Sequence, residues 1–255
     1  MQLAVSTVIF ALRADEQSAK QRGPELWLPL VCRVRDPYDG YWALPGGPLG
    51  DHEGLADSAA RTLDETTGLR PAYLEQLYAF GEPERGAGAG GVTRRTSASA
   101  PKSAADRMVS IVYWALLGSD EAARARVGQN VRWLTAERLP RLAFDHNLIV
   151  EYALWRLRTK IEYARIAHAF LGETFTLSEL REVHEIVLQR DLDPANFRRQ
   201  IEASNAVVRT EEFRTGGRHR PARLYRYNSA IEPVDLGPLA PRNAPPSSPD
   251  QRSRP

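Results

Sequence analysis

The chain has 255 residues and a net charge of +2, long enough for two ordinary domains and too balanced to signal nucleic acid or membrane binding as a whole. No apolar run approaches the roughly 18 residues of a membrane span. One cysteine, Cys32, excludes an internal disulfide and a cysteine-cluster metal site, and its place in the apolar run 28–34 reads as buried filler. The basic residues are lopsided: Lys20, Lys102 and Lys160 are the lysines and the rest are arginines. That bias fits a GC-rich genome first, and second the planar, bidentate contacts that arginine makes with phosphate and guanine. The N-terminus enters a strand-like stretch without the basic flank and small-residue cleavage site of a signal peptide, so a cytoplasmic protein is expected.

Residues 5–12 and 27–34 are apolar and β-branched and read as strands; a turn over 36–40 leads to a third at 41–44. Residues 54–67 have helical spacing, with Leu55, Ala59, Ala60 and Leu63 on one side and Gly68 as C-cap. Strands are expected at 74–80 and 108–117. Between them, 85–105 is rich in Gly, Ala, Ser and Thr without hydrophobic periodicity, and reads as a mobile loop. The texture then turns helical. Residues 145–171 form a long helical stretch with room for one break, with Leu148, Tyr152, Trp155 and Leu157 among its apolar positions. Thr174 or Thr176 opens a further helix to 188, and Asp193-Pro194 is an N-cap with proline at the first helical position of another, ending at 204. Two short β-runs, 207–213 and 223–227, flank Gly216-Gly217, and a Pro, Ser, Arg and Asn tail from 231 reads as disordered. The expected division is therefore 1–144, 145–230 and the tail 231–255.

The stretch WALPGGPLGDHEGLADSAARTLDETTGL resembles the Nudix hydrolase signature, with Gly47, Glu53, Arg61, Leu63, Glu65, Gly68 and Leu69 in register. Two positions depart from it. The family places metal-binding carboxylates at spacings of three and four along the helix, which share one face. Here those positions hold Thr62, Glu65 and Thr66. Diphosphate hydrolysis in that family needs Mg²⁺, held by several anionic oxygens, to neutralise the substrate and activate water. A single remnant glutamate, Glu65, implies that catalysis is lost at Thr62 and Thr66 and that no metal or other cofactor is required. Asp64 lies about 100° round the helix from Glu65 and is not a substitute. Glu53 and Arg61 read as a structural ion pair. A pocket can outlast catalysis, since arginines and a stacking aromatic hold a nucleotide diphosphate without metal. Candidate ligand-binding residues are Arg33 and Arg35 after the second strand, Trp42 before the box, and Arg107 before the strand at 108. Taken singly, each reads first as a surface arginine or a core tryptophan.

Three helices and a two-strand hairpin, in that order, make a winged helix-turn-helix. Charge gathers where that reading needs it: residues 195–228 carry eight arginines against three glutamates, a balance of +5. Asn196, Arg198 and Arg199 fall early on the third helix, where a recognition helix meets base edges. Arg218, His219 and Arg220 form a cationic hairpin tip suited to phosphates or a minor groove, with Arg214 and Arg223 on the flanking strands. Asp145 and His146 at the junction read as a helix cap and a contact between the halves, not a catalytic pair.

Together the halves resemble the Nudix-related transcriptional regulators known as NrtR. The resemblance is carried by the altered box, Leu142-Ala143-Phe144-Asp145-His146, Phe175-Thr176-Leu177-Ser178-Glu179-Leu180, Asn196-Phe197-Arg198-Arg199 and the run 217–227. It implies a Nudix α/β/α sandwich followed by an α+β winged helix, and a homodimeric repressor of NAD-biosynthesis or salvage genes. It also implies binding to palindromic double-stranded operator DNA, with ADP-ribose as effector. The rival from another class is an active ADP-ribose pyrophosphatase with an appended domain. A third reading is a nucleotide-binding module whose basic half contacts RNA or protein.

Overall fold

The computed structural model describes residues 2–14, 23–70, 73–82, 108–125, 130–163, 166–215 and 221–230. The loop expected at 85–105, Arg107, the hairpin tip 218–220 and the tail from 231 lie outside them.

Seven strands of the first half make one mixed sheet. They are β1 (Gln2–Arg13), β2 (Glu25–Cys32), β3 (Trp42–Ala43), β4 (Gly46–Pro48), β5 (Tyr73–Phe80), β6 (Met108–Leu117) and β7 (Val131–Thr135). The backbone path runs β3-β2-β1-β6-β5, with β4 also on β1 and β7 also on β2. β1 and β6 run parallel through ten residue pairs, from Gln2↔Met108 to Ala11↔Leu117. Both strands are buried on their two faces, so they read as continuous apolar runs instead of alternating ones.

Side chains of β1 divide between two layers by the two-residue period of a strand. Val5, Ile9 and Ala11 face helix α1 (Leu55–Thr67), against Ala59 and Leu63. Val8, Phe10 and Leu12 face the other way, onto α3 (His146–Tyr163), against Ile149, Val150, Ala153, Leu154 and Leu157. α1 ends as expected at Gly68, in left-handed conformation (φ 70°), whose N–H closes onto the Asp64 carbonyl. A short helix, α2 (Ser119–Ala123), follows β6.

The 3₁₀ turn Ile166–Phe170 breaks the long helical stretch once and leads into α4 (Leu177–Leu188). Of the two candidate threonines, Thr176 is the N-cap: its hydroxyl accepts from Glu179 N–H, and Glu179 accepts the Thr176 N–H in return. α5 (Pro194–Ala203) starts at Asp193, whose carboxylate accepts from Asn196 N–H, with Pro194 in the first turn. β8 (Val207–Arg214) and β9 (Ala222–Tyr227) form an antiparallel pair, joined to the strand before α4 through Phe175↔Tyr225. This is the expected sandwich followed by a winged helix. One apolar cluster runs from Phe10 and Trp114 through α3 to Phe175, Phe197 and Tyr225, so the halves share a core.

Four expectations on burial and three on elements need correction. Ala60 is exposed, while Ser58, Thr62 and Thr67 take the buried face of α1. Cys32 is half-buried at the end of β2. Leu148 and Trp155 are each 55% exposed. With Tyr152 they form an outer stripe on α3, where Trp155 and Tyr152 continue into Tyr78 and Phe80 of β5. α3 is apolar nearly all round, so periodicity did not separate its buried side from its outer one. β4, α2 and β7 were not foreseen; they are three to five residues long, and short elements leave little periodic signal.

Candidate functional site

The box lead-in is held tightly to the sheet. Thr7 N–H donates to Pro45 O at 2.8 Å, and β4 pairs with β1 through Ala4↔Pro48, Val5↔Gly47 and Ser6↔Gly46. A Cβ on Gly46 would lie 2.7 Å from Ser6 Oγ and 2.8 Å from Val5 O, so only glycine permits this approach. Gly47 lies beside α1, 4.0 Å from Thr62 Oγ1 as measured from the position its Cβ would take.

Glu53 and Arg61 form the bidentate pair expected of them, Nη2–Oε1 2.6 Å and Nε–Oε2 2.9 Å, and Gly50 N–H donates to the same carboxylate at 2.8 Å. The Arg61 guanidinium, and after it the Gly50 N–H, lower the Glu53 carboxyl from 4.5 to about 2. Glu65 reaches the same arginine at 3.2 Å. Thr62 is buried, Thr66 Oγ1 donates back to the Thr62 carbonyl at 2.6 Å, and Asp64 turns outward to Arg70 at 2.6 Å. The two threonines therefore differ in role. One faces the sheet and the other bonds its own helix.

The candidate ligand residues separate into two groups. Arg33 donates to Pro37 O at 3.0 Å and lies over the Phe144 ring at 4.7 Å. Phe144 also packs on Tyr38 and on His146. Trp42 lies across β2 from that group, with Arg132 of β7 over its ring at 5.4 Å. Arg35 is exposed and offers its carbonyl to Arg33. Tyr38, Arg132 and Phe144 were not singled out from the sequence: β7 was unseen, and a lone aromatic in a turn carries no pattern.

At the junction, Leu44 N–H donates to His146 Nδ1 at 2.9 Å, and Ala143 N–H donates to Trp42 O at 2.8 Å. The residues just before the Pro45-Gly46-Gly47 turn are thus bonded to the start of α3. Asn147 adds a clamp, accepting from Leu142 N–H and donating to Pro140 O. Asp145 supplies its carbonyl to Ile149 N–H in the first turn.

In the second half, Asn196, Arg198 and Arg199 are exposed on the first turns of α5, while Phe197 between them is buried. Arg199 donates to Asn196 Oδ1 at 2.7 Å and Arg198 reaches Glu202 at 3.3 Å. Glu202 also takes Arg209 at 2.9 Å and the Tyr225 hydroxyl at 3.2 Å, tying α5 to the hairpin. Arg214 pairs with Glu179 of the α4 cap, and Arg223 donates to Thr210 O at 3.0 Å while lying over Phe213.

The "NrtR DNA-binding winged helix domain" matches residues 167–227, and the "NUDIX domain" matches 5–153. The chain is 32% identical over 218 residues to the ADPR responsive transcriptional repressor NtrR of Acinetobacter baylyi, covering 83% of this chain and 79% of that one. The chain belongs to the NrtR family. The crystal structure of Shewanella oneidensis NrtR complexed with a 27mer DNA is similar at a TM-score of 0.68 and 31% identity, covering 89% of this chain and 93% of that one. The chain is also 27% identical, over 128 residues, to an ADP-ribose pyrophosphatase of Methanocaldococcus jannaschii, covering 50% of this chain and 66% of that one. NrtR membership thus joins the box half and the winged-helix half in one lineage of regulators.

A lowered carboxyl pKa contributes stability above its ordinary value and loses it as pH falls through the folded value. Glu53→Gln is therefore expected to melt below the parent at neutral pH, with the gap closing as pH falls from 4.5 towards about 2. Thermal melts of both proteins across that range check it; a gap that stays constant contradicts the pairing.

Proposed function

We propose that this chain is an ADP-ribose-responsive transcriptional repressor that binds operator DNA through α5 and the β8–β9 hairpin. One observation carries the reading: a Nudix box and a winged helix share a core and are joined by α3, whose first turn is bonded to the box lead-in. The DNA-binding and ADPR-responsive character of the relatives supports it. In this reading residues 1–144 sense the effector, residues 145–230 bind DNA, and the protein acts in the cytoplasm on NAD-biosynthesis or salvage genes. Two copies, each with one recognition helix, meet a palindromic site with half-sites about one turn or a multiple apart. Arg33, Arg35, Trp42 and Arg107 serve the effector. Asn196, Arg198, Arg199, Arg214, Arg218, His219, Arg220 and Arg223 serve the DNA. Effector binding moves the box lead-in, and the Leu44–His146 bond passes that movement to α3.

The divalent cations used by Nudix hydrolases do not fit this donor set. Thr62 and Thr66 offer hydroxyls, one of them already spent on its own helix, and Glu65 is engaged by Arg61. Among the described residues no group of three or more His, Cys, Asp or Glu side chains could hold a metal ion. In this reading the chain is a sensor without turnover.

Incubation with ADP-ribose and Mg²⁺ is expected to yield no steady release of AMP. Sustained hydrolysis that Glu65→Gln abolishes would favour the pyrophosphatase reading instead. For the DNA half, selection of genomic fragments with the purified protein is expected to return a palindrome. Arg198→Ala or Arg199→Ala should then cost about 1–3 kcal/mol on that site and relax preference at one position per half-site. Arg218→Ala and Arg220→Ala should weaken operator and scrambled duplex alike and reduce the salt slope by about one unit each. Titrations of the four variants at several salt concentrations check this; parent-like binding by all four removes the winged helix from the DNA contact.

A further inference from the structure

Three hydroxyls on the α1 side of the sheet are buried without a partner: Thr7 Oγ1 on β1, Tyr113 Oη on β6 and Thr62 Oγ1 on α1. Their residues are 0%, 2% and 4% exposed. Thr7 and Tyr113 are register partners on the parallel strands, so both point to the α1 side. Thr62 lies on the buried face of that helix, beside Gly47 of the box, and Thr7 N–H bonds Pro45 O at the box lead-in. The Ser58 hydroxyl lies one turn before Thr62 on the same face, near the Glu53 carboxylate. Of these groups, Thr62 holds a position where the box otherwise supplies a carboxylate.

The carboxylates of the box are already engaged. Glu53 is clasped by Arg61, Glu65 faces outward to the same arginine, and Asp64 is paired with Arg70. Burial, and after it the charge of exposed Asp57, raise the Tyr113 phenol, which stays protonated and able to donate. A divalent cation brought here would lose water and compete with Arg61 and Arg70 for carboxylates; Mg²⁺ in particular dehydrates reluctantly and is held through carboxylates. A hydroxyl can donate to an anionic oxygen or exchange hydrogen bonds with a trapped water. Buried polar groups without partners are uncommon, and several at one place mark a site completed by water or ligand.

We infer that this chain binds its effector without a divalent cation, because the buried hydroxyl of Thr62, the helix-bonded hydroxyl of Thr66 and the Arg61-paired Glu65 stand where the fold's metal ligands would be. The inference rests on the reading of the chain as ADP-ribose responsive and adds that the diphosphate is met without a bridging metal.

Calorimetric titration of the full chain with ADP-ribose, once in excess MgCl₂ and once in EDTA, tests it. The expected result is the same dissociation constant in both, within about twofold; weakening of about tenfold in EDTA, equivalent to about 1.4 kcal/mol, overturns it. The double substitution Thr62→Glu, Thr66→Glu restores carboxylates and is expected to make binding depend on Mg²⁺; a folded double variant as indifferent to Mg²⁺ as the parent overturns the assignment to the hydroxyls. Should that variant fail to fold, the parent titrations decide alone. Absence of binding in both buffers overturns the ADP-ribose reading, and this inference with it.

Discussion

The structure depends on a seam two hydrogen bonds wide. Leu44 N–H is bonded to His146 Nδ1, and Ala143 N–H to Trp42 O, so the strand entering the box is fixed to the chain entering α3. His146 is 6% exposed, and Leu44 is as deeply buried. A buried N–H left without an acceptor costs about 1–3 kcal/mol, so the seam resists parting unless something replaces its bonds. Leu44 is followed directly by Pro45, which accepts from Thr7 N–H, and by Gly46 and Gly47, the second of which lies beside Thr62. Any ligand that shifts those glycines acts on the first turn of the helix that leads to the DNA-binding half.

From that turn the signal path is rigid. α3 buries Ile149, Val150, Ala153, Leu154, Leu157 and Ile161 in the shared core. Near its end Lys160, 1% exposed at the side chain, donates to both oxygens of Glu75 on the edge strand β5, at 2.8 and 2.9 Å. Arg158 donates to Val187 O at the end of α4. A helix fixed at its start to the box, at its end to the sheet edge and along its side to α4 moves as a body or not at all. On the far side, a cleft of about 1040 Å³, lined in part by Tyr73, Arg124, Glu173, Arg209 and Arg226, separates the first half from the hairpin. The two halves meet across α3 and the 3₁₀ turn and leave room elsewhere.

The chemistry of the box was legible because register was. Gly47, Glu53, Arg61, Glu65 and Gly68 have fixed spacings, and the Glu53–Arg61 pair and the Gly68 cap stand where those spacings put them. The caps at Thr176 and Asp193 were legible for the same reason: each is a local rule confined to a few residues. What sequence did not disclose is long-range. His146 was legible as a contact between the halves, but nothing near it names its partner, the Leu44 N–H 102 positions earlier. Thr62 and Thr66 looked alike as lost carboxylates, yet one is buried against the sheet and the other bonds its own helix. Leu148 and Trp155 satisfied helical periodicity and still face outward, because α3 has two apolar sides and only one of them packs on the sheet.

The central claim is that effector and operator are linked through the seam at His146, and linkage must be reciprocal between them. The decisive measurement is the operator affinity with and without saturating ADP-ribose, in the parent and in His146→Ala, with ADP-ribose binding to each confirmed by calorimetry. The parent is expected to shift by about fivefold or more, as allosteric regulators commonly do. His146→Ala should still bind both ligands separately while its operator affinity stays nearly constant. A His146→Ala protein whose operator affinity shifts as far as the parent's would contradict the account.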